Sequence, residues 1–150
     1  MMSFHKAIAT VCGIGYIGKG SGTIAAVAYC IFLMFLPPGN KWLWQPLLLA
    51  AVLAVGTWNS NVLESIWGHD SNKIVIDEVA GMMITLLFVP IEIKYVAFGL
   101  VLFRFFDIVK PLGIKKAELL PSGWGVMADD VLAGVYSWLI LQLVIEFIPF

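Results

Sequence analysis

Three acidic groups stand at the ends of apolar stretches in this chain: Asp77-Glu78, Asp107 and Asp129-Asp130. Only 13% of the residues are charged and the net charge is −1. Carboxylates beside hydrophobic segments are unfavourable unless a cation compensates them. One acid of each pair is explained by ordinary capping at a helix N-terminus. The second is not, and Asp70 adds a further acid just upstream. Hard carboxylate oxygens beside glycine-containing segments suit Mg2+, which prefers oxygen ligands and retains several waters.

Arg104, Asp107 and Lys110 recur at i, i+3 and i+6, so they share one stripe of a helix. A pair of local salt bridges would produce the same spacing. Arg104, however, lies inside Val101-Leu102-Phe103-Arg104-Phe105-Phe106, and a charge within such a stretch is functional by default. Arg grips phosphate with two parallel hydrogen bonds and Lys acts as a point charge, so the trio suits a site that holds both phosphate and metal.

The glycine-rich stretch from Gly13 to Thr23 contains Gly13-Ile14-Gly15-Tyr16-Ile17-Gly18, which satisfies GxGxxG, but no βαβ pattern or ribose-binding acid accompanies it. It also approaches a P-loop, with Gly20 standing where Ser or Thr must bind magnesium. A glycine loop feeding a helix can still present bare N–H groups to an anion, which makes Lys19, Ser21, Gly22 and Thr23 candidate phosphate contacts. Pro121-Ser122-Gly123-Trp124 resembles the PSGH element of histidine-dependent lipid phosphatases with Trp in place of His. Cys12 is followed at the interval of a cysteine-phosphatase loop by Gly18 rather than Arg. A covalent route through histidine or cysteine is therefore not expected.

The elements that must position these residues are apolar. Hydrophobic residues make up 61% of the chain, above the about 45–50% of soluble domains, and the mean hydropathy is +0.94. The chain reads as all-α, a polytopic membrane bundle of about five helices, some short or re-entrant, in a single domain over residues 1–150. The segments are Thr23–Leu36, Trp44–Trp67, Glu78–Pro90, Lys94–Val109 and Val131–Phe150. Only the second and fifth reach the roughly 20 residues that span a bilayer. Pro37-Pro38-Gly39-Asn40 and Pro90 mark two turns, and Gly81 and Gly134 lie four residues after Asp77 and Asp130, where they would let helices approach closely. Met1 to Lys6 does not read as a signal peptide, the charge balance gives no case for nucleic-acid binding, and Cys12 and Cys30 read as packing residues.

If the first helix runs outward, Lys6, Lys19, Lys73, Lys110, Lys115 and Lys116 fall on the inner side, and only Lys41 and Lys94 on the outer. That is the asymmetry of cytoplasmic loops. The same threading places Thr23, Asp70, Asp77, Glu78, Asp107, Asp129 and Asp130 on one side of the membrane, although helical periodicity alone did not require it.

His69-Asp70, Ile74 to Gly81, Phe103 to Pro111 and Gly125 to Gly134 together resemble the phosphatidylglycerophosphatase A family in order and spacing, and Gly13 to Ala26 resembles its N-terminal glycine region. Ser21-Gly22-Thr23 lacks the family's Pro before Gly-Thr, and Trp124 separates glycines that are usually adjacent. The resemblance implies an integral protein of the bacterial inner membrane, Mg2+-dependent and facing the cytoplasm. It would convert phosphatidylglycerophosphate to phosphatidylglycerol within the lipid bilayer.

The expected chemistry is direct hydrolysis of a lipid phosphate monoester. Asp77, Glu78, Asp129 and Asp130, with Asp107 or Asp70, would hold one or two Mg2+ ions. Arg104 and Lys110, with the Thr23 loop, would stabilise charge on the transferring group. Asp130 or Glu78 would accept the water proton. A CDP-alcohol phosphotransferase would need a DG…AR…G…D…D run that is missing. A non-enzymatic ion carrier would favour acids at mid-membrane and would not need Arg104 and Lys110 beside them.

Overall fold

The computed structural model describes residues 2–36, 39, 41–68 and 71–147. The described residues are all-helical, with no strand. Helix α1 spans Met2–Ala9, α2 Ser21–Phe35, α3 Lys41–Trp67, α4 Ile76–Thr85, α5 Ile93–Val109, α6 Ile114–Ala117 and α7 Gly123–Phe147. The five expected segments are α2, α3, α4, α5 and α7, and α1 and α6 are short additions. The GxGxxG stretch forms a 3-10 turn over Ile14–Ile17. The Pro37-Pro38 turn and residues 148–150 of the last expected segment lie outside the described residues.

Two helices, Trp42–Trp67 and Gly123–Phe147, are long and apolar enough to cross a membrane. The chain also leaves large apolar side chains uncovered along its flanks, with Phe35 85% and Leu47 70% exposed. Water would not tolerate so extensive an apolar surface, whereas lipid would.

Helix α4 is the centre of the bundle and packs against α2, α3, α5 and α7. Ile76, Asp77 and every residue from Ala80 to Thr85 are buried, as expected of a helix enclosed on all sides. Its closest partner is α7. A Cβ on Gly134 would stand 2.5 Å from Gly81 O, and one on Gly81 would stand 2.7 Å from Asp130 O. The two glycines therefore let these backbones touch. Around that contact, Leu33, Met82, Leu86, Phe103 and Leu141 form the apolar core.

Two helix boundaries differ from expectation. Helix α4 stops at Thr85 rather than reaching Pro90. Phe88 takes a positive φ of 63°; its N–H donates to Gln45 Oε1 at 3.0 Å, and Trp138 Nε1 donates to Leu87 O at 2.9 Å. Side chains from α3 and α7 thus satisfy backbone that has left the helix. Helix α7 begins at Gly123, well before Val131, so Asp129-Asp130 lie inside it and no flexible loop precedes them. The Gly123 N–H donates to Asn61 Oδ1 at 2.6 Å, and a Cβ on Gly123 would stand 2.5 Å from Thr57 O. The glycines here serve close packing.

The connection from α5 to α7 carries α6 and a row of uncovered apolar residues, with Leu112 79% and Leu119 82% exposed beside exposed Lys115 and Lys116. Tyr136 O–H donates to Leu112 O at 3.2 Å, which ties this segment to α7. At the same end, His5 Nδ1 lies 2.7 Å from Asn59 Oδ1 and fastens α1 to α3. Cys30 is buried as a packing residue should be, whereas Cys12 is exposed.

Candidate functional site

The N-termini of α2, α4 and α7 and the C-terminus of α5 meet at one end of the bundle. Asp77 and Glu78 enter from the first turn of α4, Asp107 from the last turn of α5, and Asp129 and Asp130 from the second turn of α7. They form two interlocking groups. Carboxylate oxygens of Asp77, Glu78 and Asp130 lie within 4.8 Å of one another, and so do those of Asp107, Asp129 and Asp130. Asp130 belongs to both. It is held there by the Gly81–Gly134 contact one turn along the same two helices.

The acids are short of donors. Glu78 Oε2, Asp129 Oδ1 and Asp130 Oδ1 are buried with no hydrogen-bond partner. Asp77 Oδ1 accepts the Glu78 N–H at 3.1 Å. Unpartnered buried carboxylate oxygens are strongly unfavourable, and a divalent cation is what this all-oxygen donor set fits. Buried acidic clusters that could bind a metal are thus present where the sequence spacing placed them.

Two cations stand at the edges. Arg104 Nη1 lies 2.6 Å from Asp107 Oδ2, an ion pair one helical turn long. Lys110 Nζ lies 2.6 Å from Asp129 Oδ2 and also donates to Glu118 Oε1. Burial disfavours the Lys110 ammonium, but its hydrogen bonds and charge contacts with Asp129 and Glu118 outweigh that and hold its pKa above the ordinary lysine value.

Beside the acids opens a cleft of about 530 Å³ lined by Gly18, Lys19, Gly20, Ser21, Gly22, Asn72, Glu78 and Arg104. Gly18 and Gly20 take φ of 92° and 86°, a conformation open to glycine, and turn the chain into α2. The Ser21 N–H donates to Gly18 O at 3.1 Å, while Gly22, whose N–H has no partner within the helix, lines the cleft. Gly22 has no side chain where Glu78 Oε1 approaches; a Cβ there would collide with it. Ser21 Oγ donates to Asn72 O at 3.4 Å. The Gly22 N–H, Lys19 and Arg104 together make an anion-accepting wall, and Glu78 is the acid that reaches both the cleft and the metal-fitting group.

Of the residues singled out in the sequence, Asp77, Glu78, Asp107, Asp129 and Asp130 converge, and Lys19, Ser21, Gly22 and Arg104 share the cleft. Thr23 is half-buried in the first turn of α2 and does not line it. Lys110 does not line the cleft and is paired with Asp129 and Glu118 instead. Asp70 lies outside the described residues, as does His69. Glu118 and Asn72 escaped the sequence reading. Glu118 sits eight residues past Lys110 across a turn and a short helix, so no periodicity links them.

Comparisons with known proteins agree with this chemistry. The family model described as Phosphatidylglycerophosphatase A matches residues 7–145. A provisionally named phosphatidylinositol-3-phosphatase of Bacteroides thetaiotaomicron is 43% identical over 91% of this chain and 90% of its own length. A phosphatidylglycerophosphatase A of Escherichia coli K12 is 34% identical over 82% of this chain and 71% of its own. One of Haemophilus influenzae is 41% identical over 49% of this chain and 46% of its own. No solved structure matches the chain significantly.

Proposed function

The chain belongs to the phosphatidylglycerophosphatase A family of lipid phosphatases, and from that premise we propose that it hydrolyses the terminal phosphate of phosphatidylglycerophosphate to give phosphatidylglycerol. Mg2+ is its metal, and it works at the cytoplasmic face of a bacterial inner membrane that its helices cross. The observation that carries the reading is the adjacency of the donor-poor acids to a cleft walled by Lys19 and Arg104. An ion carrier has no use for that anion-accepting wall.

Asp77, Glu78, Asp107, Asp129 and Asp130 would hold one or two Mg2+ ions. When bound, Mg2+ supplies an acidified water and a counter-charge for phosphoryl oxygens. Arg104, Lys19 and the N–H of Gly22 bind the phosphate dianion and orient its phosphorus toward the acids. Glu78 takes a proton from the attacking water. The water oxygen bonds to phosphorus, the bond from phosphorus to the glycerol oxygen breaks, and the proton passes to that oxygen. The acyl chains stay in lipid throughout.

One observation favours a second substrate. The relative with the higher identity over the whole length is named for phosphatidylinositol-3-phosphate rather than phosphatidylglycerophosphate. The two head groups share a chemical unit: a phosphodiester and a phosphate monoester on the carbons flanking a single hydroxyl-bearing carbon. A site shaped for one therefore meets the same pattern of charge in the other.

The test is phosphate release by purified protein in detergent, from each lipid, with and without Mg2+. Phosphatidylglycerophosphate is expected to turn over only with Mg2+, and Asp130→Asn to slow it at least about a hundredfold. Faster release from phosphatidylinositol-3-phosphate makes the second substrate the preferred one in this assay and overturns the preference for phosphatidylglycerophosphate. Release from neither overturns the phosphatase reading for this chain.

A further inference from the structure

We infer that Glu118 is a positioning residue: it holds the Lys110 ammonium on Asp129 Oδ2 and so leaves Asp129 Oδ1 free for the metal. The inference rests on the metal-dependent reading of the acids given above. It also reassigns Lys110, which the sequence marked as a phosphate contact.

The geometry runs Glu118, Lys110, Asp129. One oxygen of Asp129 is occupied by Lys110 at 2.6 Å. The other, Oδ1, is buried without a partner, and the Asp129 carboxylate is grouped with those of Asp107 and Asp130. Metal-binding side chains are commonly fixed by an outer hydrogen-bond partner that sets their orientation, and Lys110 occupies that place. Because Lys110 faces two carboxylates, the local charge is net negative and repels a phosphate dianion. Lys110 therefore acts through Asp129, and the phosphate is left to Arg104 and Lys19 across the cleft.

The ion pair is also built into the fold. Lys110 closes α5 in a left-handed conformation, φ 47°, with its N–H on Phe106 O at 2.8 Å. Just beyond it, Tyr136 of α7 ties down Leu112 O. The backbone of Glu118 itself rests on α7, where a Cβ on Gly125 would stand 2.7 Å from Glu118 O. Both ends of the segment that carries the pair are thus fastened to the helix that carries Asp129. Side-chain exposures of 23% for Lys110 and 10% for Asp129 keep water from substituting freely.

The sign of a substitution follows. Glu118→Gln removes the charged partner that fixes the ammonium, so Lys110 is held less firmly on Asp129 Oδ2 and Asp129 loses its orientation. It also removes a negative charge near the cluster. Both effects weaken a divalent cation.

The experiment is a Mn2+ titration followed by electron paramagnetic resonance on the full chain in detergent, with KM and kcat for the lipid measured alongside. Glu118→Gln is expected to weaken Mn2+ binding about 10- to 100-fold and to leave KM at saturating metal unchanged. Glu118→Asp, which keeps the charge on a shorter arm, is expected to recover most of the affinity. If Glu118→Gln does not fold, Glu118→Asp alone decides: a few-fold loss supports the role and unchanged binding overturns it. Wild-type Mn2+ binding with an unaltered Glu118→Gln overturns the inference alone, as does a raised KM with unaltered binding. Absence of Mn2+ binding in the wild type overturns the metal reading itself and the inference with it.

Discussion

Gly81 and Asp130 face each other across the α4–α7 contact so closely that a Cβ on Gly81 would stand 2.7 Å from the Asp130 carbonyl oxygen. The backbone of a proposed metal-holding residue thus rests directly on a position that has no side chain. Positioning of Asp130 and packing of the bundle are one interaction.

Filling this contact should damage site and fold together. Gly134→Ala places a methyl 2.5 Å from Gly81 O, and backbone cannot step aside as a flexible side chain can. Overpacking of this kind costs about 1–3 kcal/mol. We expect a lower melting temperature in detergent and a loss of turnover larger than the stability change explains, because Asp130 is displaced from Glu78 and Asp77. A variant with normal turnover and normal melting would show that the two backbones need not touch.

Arg104 is the residue to distinguish phosphate recognition from metal holding. Arg104→Lys keeps the charge but not the planar fork, so the Asp107 pair is weakened and the two-point grip on phosphate is lost. The expected result is a KM raised about tenfold or more with Mn2+ affinity little altered. Steady-state kinetics beside the Mn2+ titration measures both, and a weakened metal with an unchanged KM would place Arg104 in the metal's service.

Lys110 makes a pH prediction. Its folded pKa lies above the ordinary lysine value of 10.5, so its contribution to stability is complete below that value and declines only as pH rises through the folded pKa. The gap in melting temperature between wild type and Lys110→Met should stay constant from about pH 7 to about pH 9 and shrink in stronger alkali. A gap that closes below about pH 9 would mean that the ammonium is not held as the geometry has it.

The convergence of the acids was legible because each pair precedes a glycine by four residues, a spacing that puts acid and close contact on one helix face. The start of α7 was not legible. Gly123 and Gly125 look like loop residues until Thr57, Asn61 and Glu118 are seen pressed against them. The early end of α4 depends on Gln45 and Trp138, which are far away in the chain and cannot be paired with Phe88 and Leu87 by any local pattern. Lys110 was read as a phosphate contact, and the fold sets it between Glu118 and Asp129, because nothing in the spacing announces Glu118. Local periodicity reveals which face a residue occupies, and only the assembled fold reveals what fills the space beyond it.

The uncovered leucines around α6 connect the protein's surroundings to its chemistry. The segment that carries Glu118 also presents Leu112 and Leu119 outward with nothing among the described residues to cover them, so whatever surrounds the protein sets their resting depth. A bilayer and a detergent micelle differ in that respect. If Glu118 orients Asp129 as inferred above, the affinity for metal would be a property shared between the polypeptide and its solvent, and would differ between bilayer and micelle.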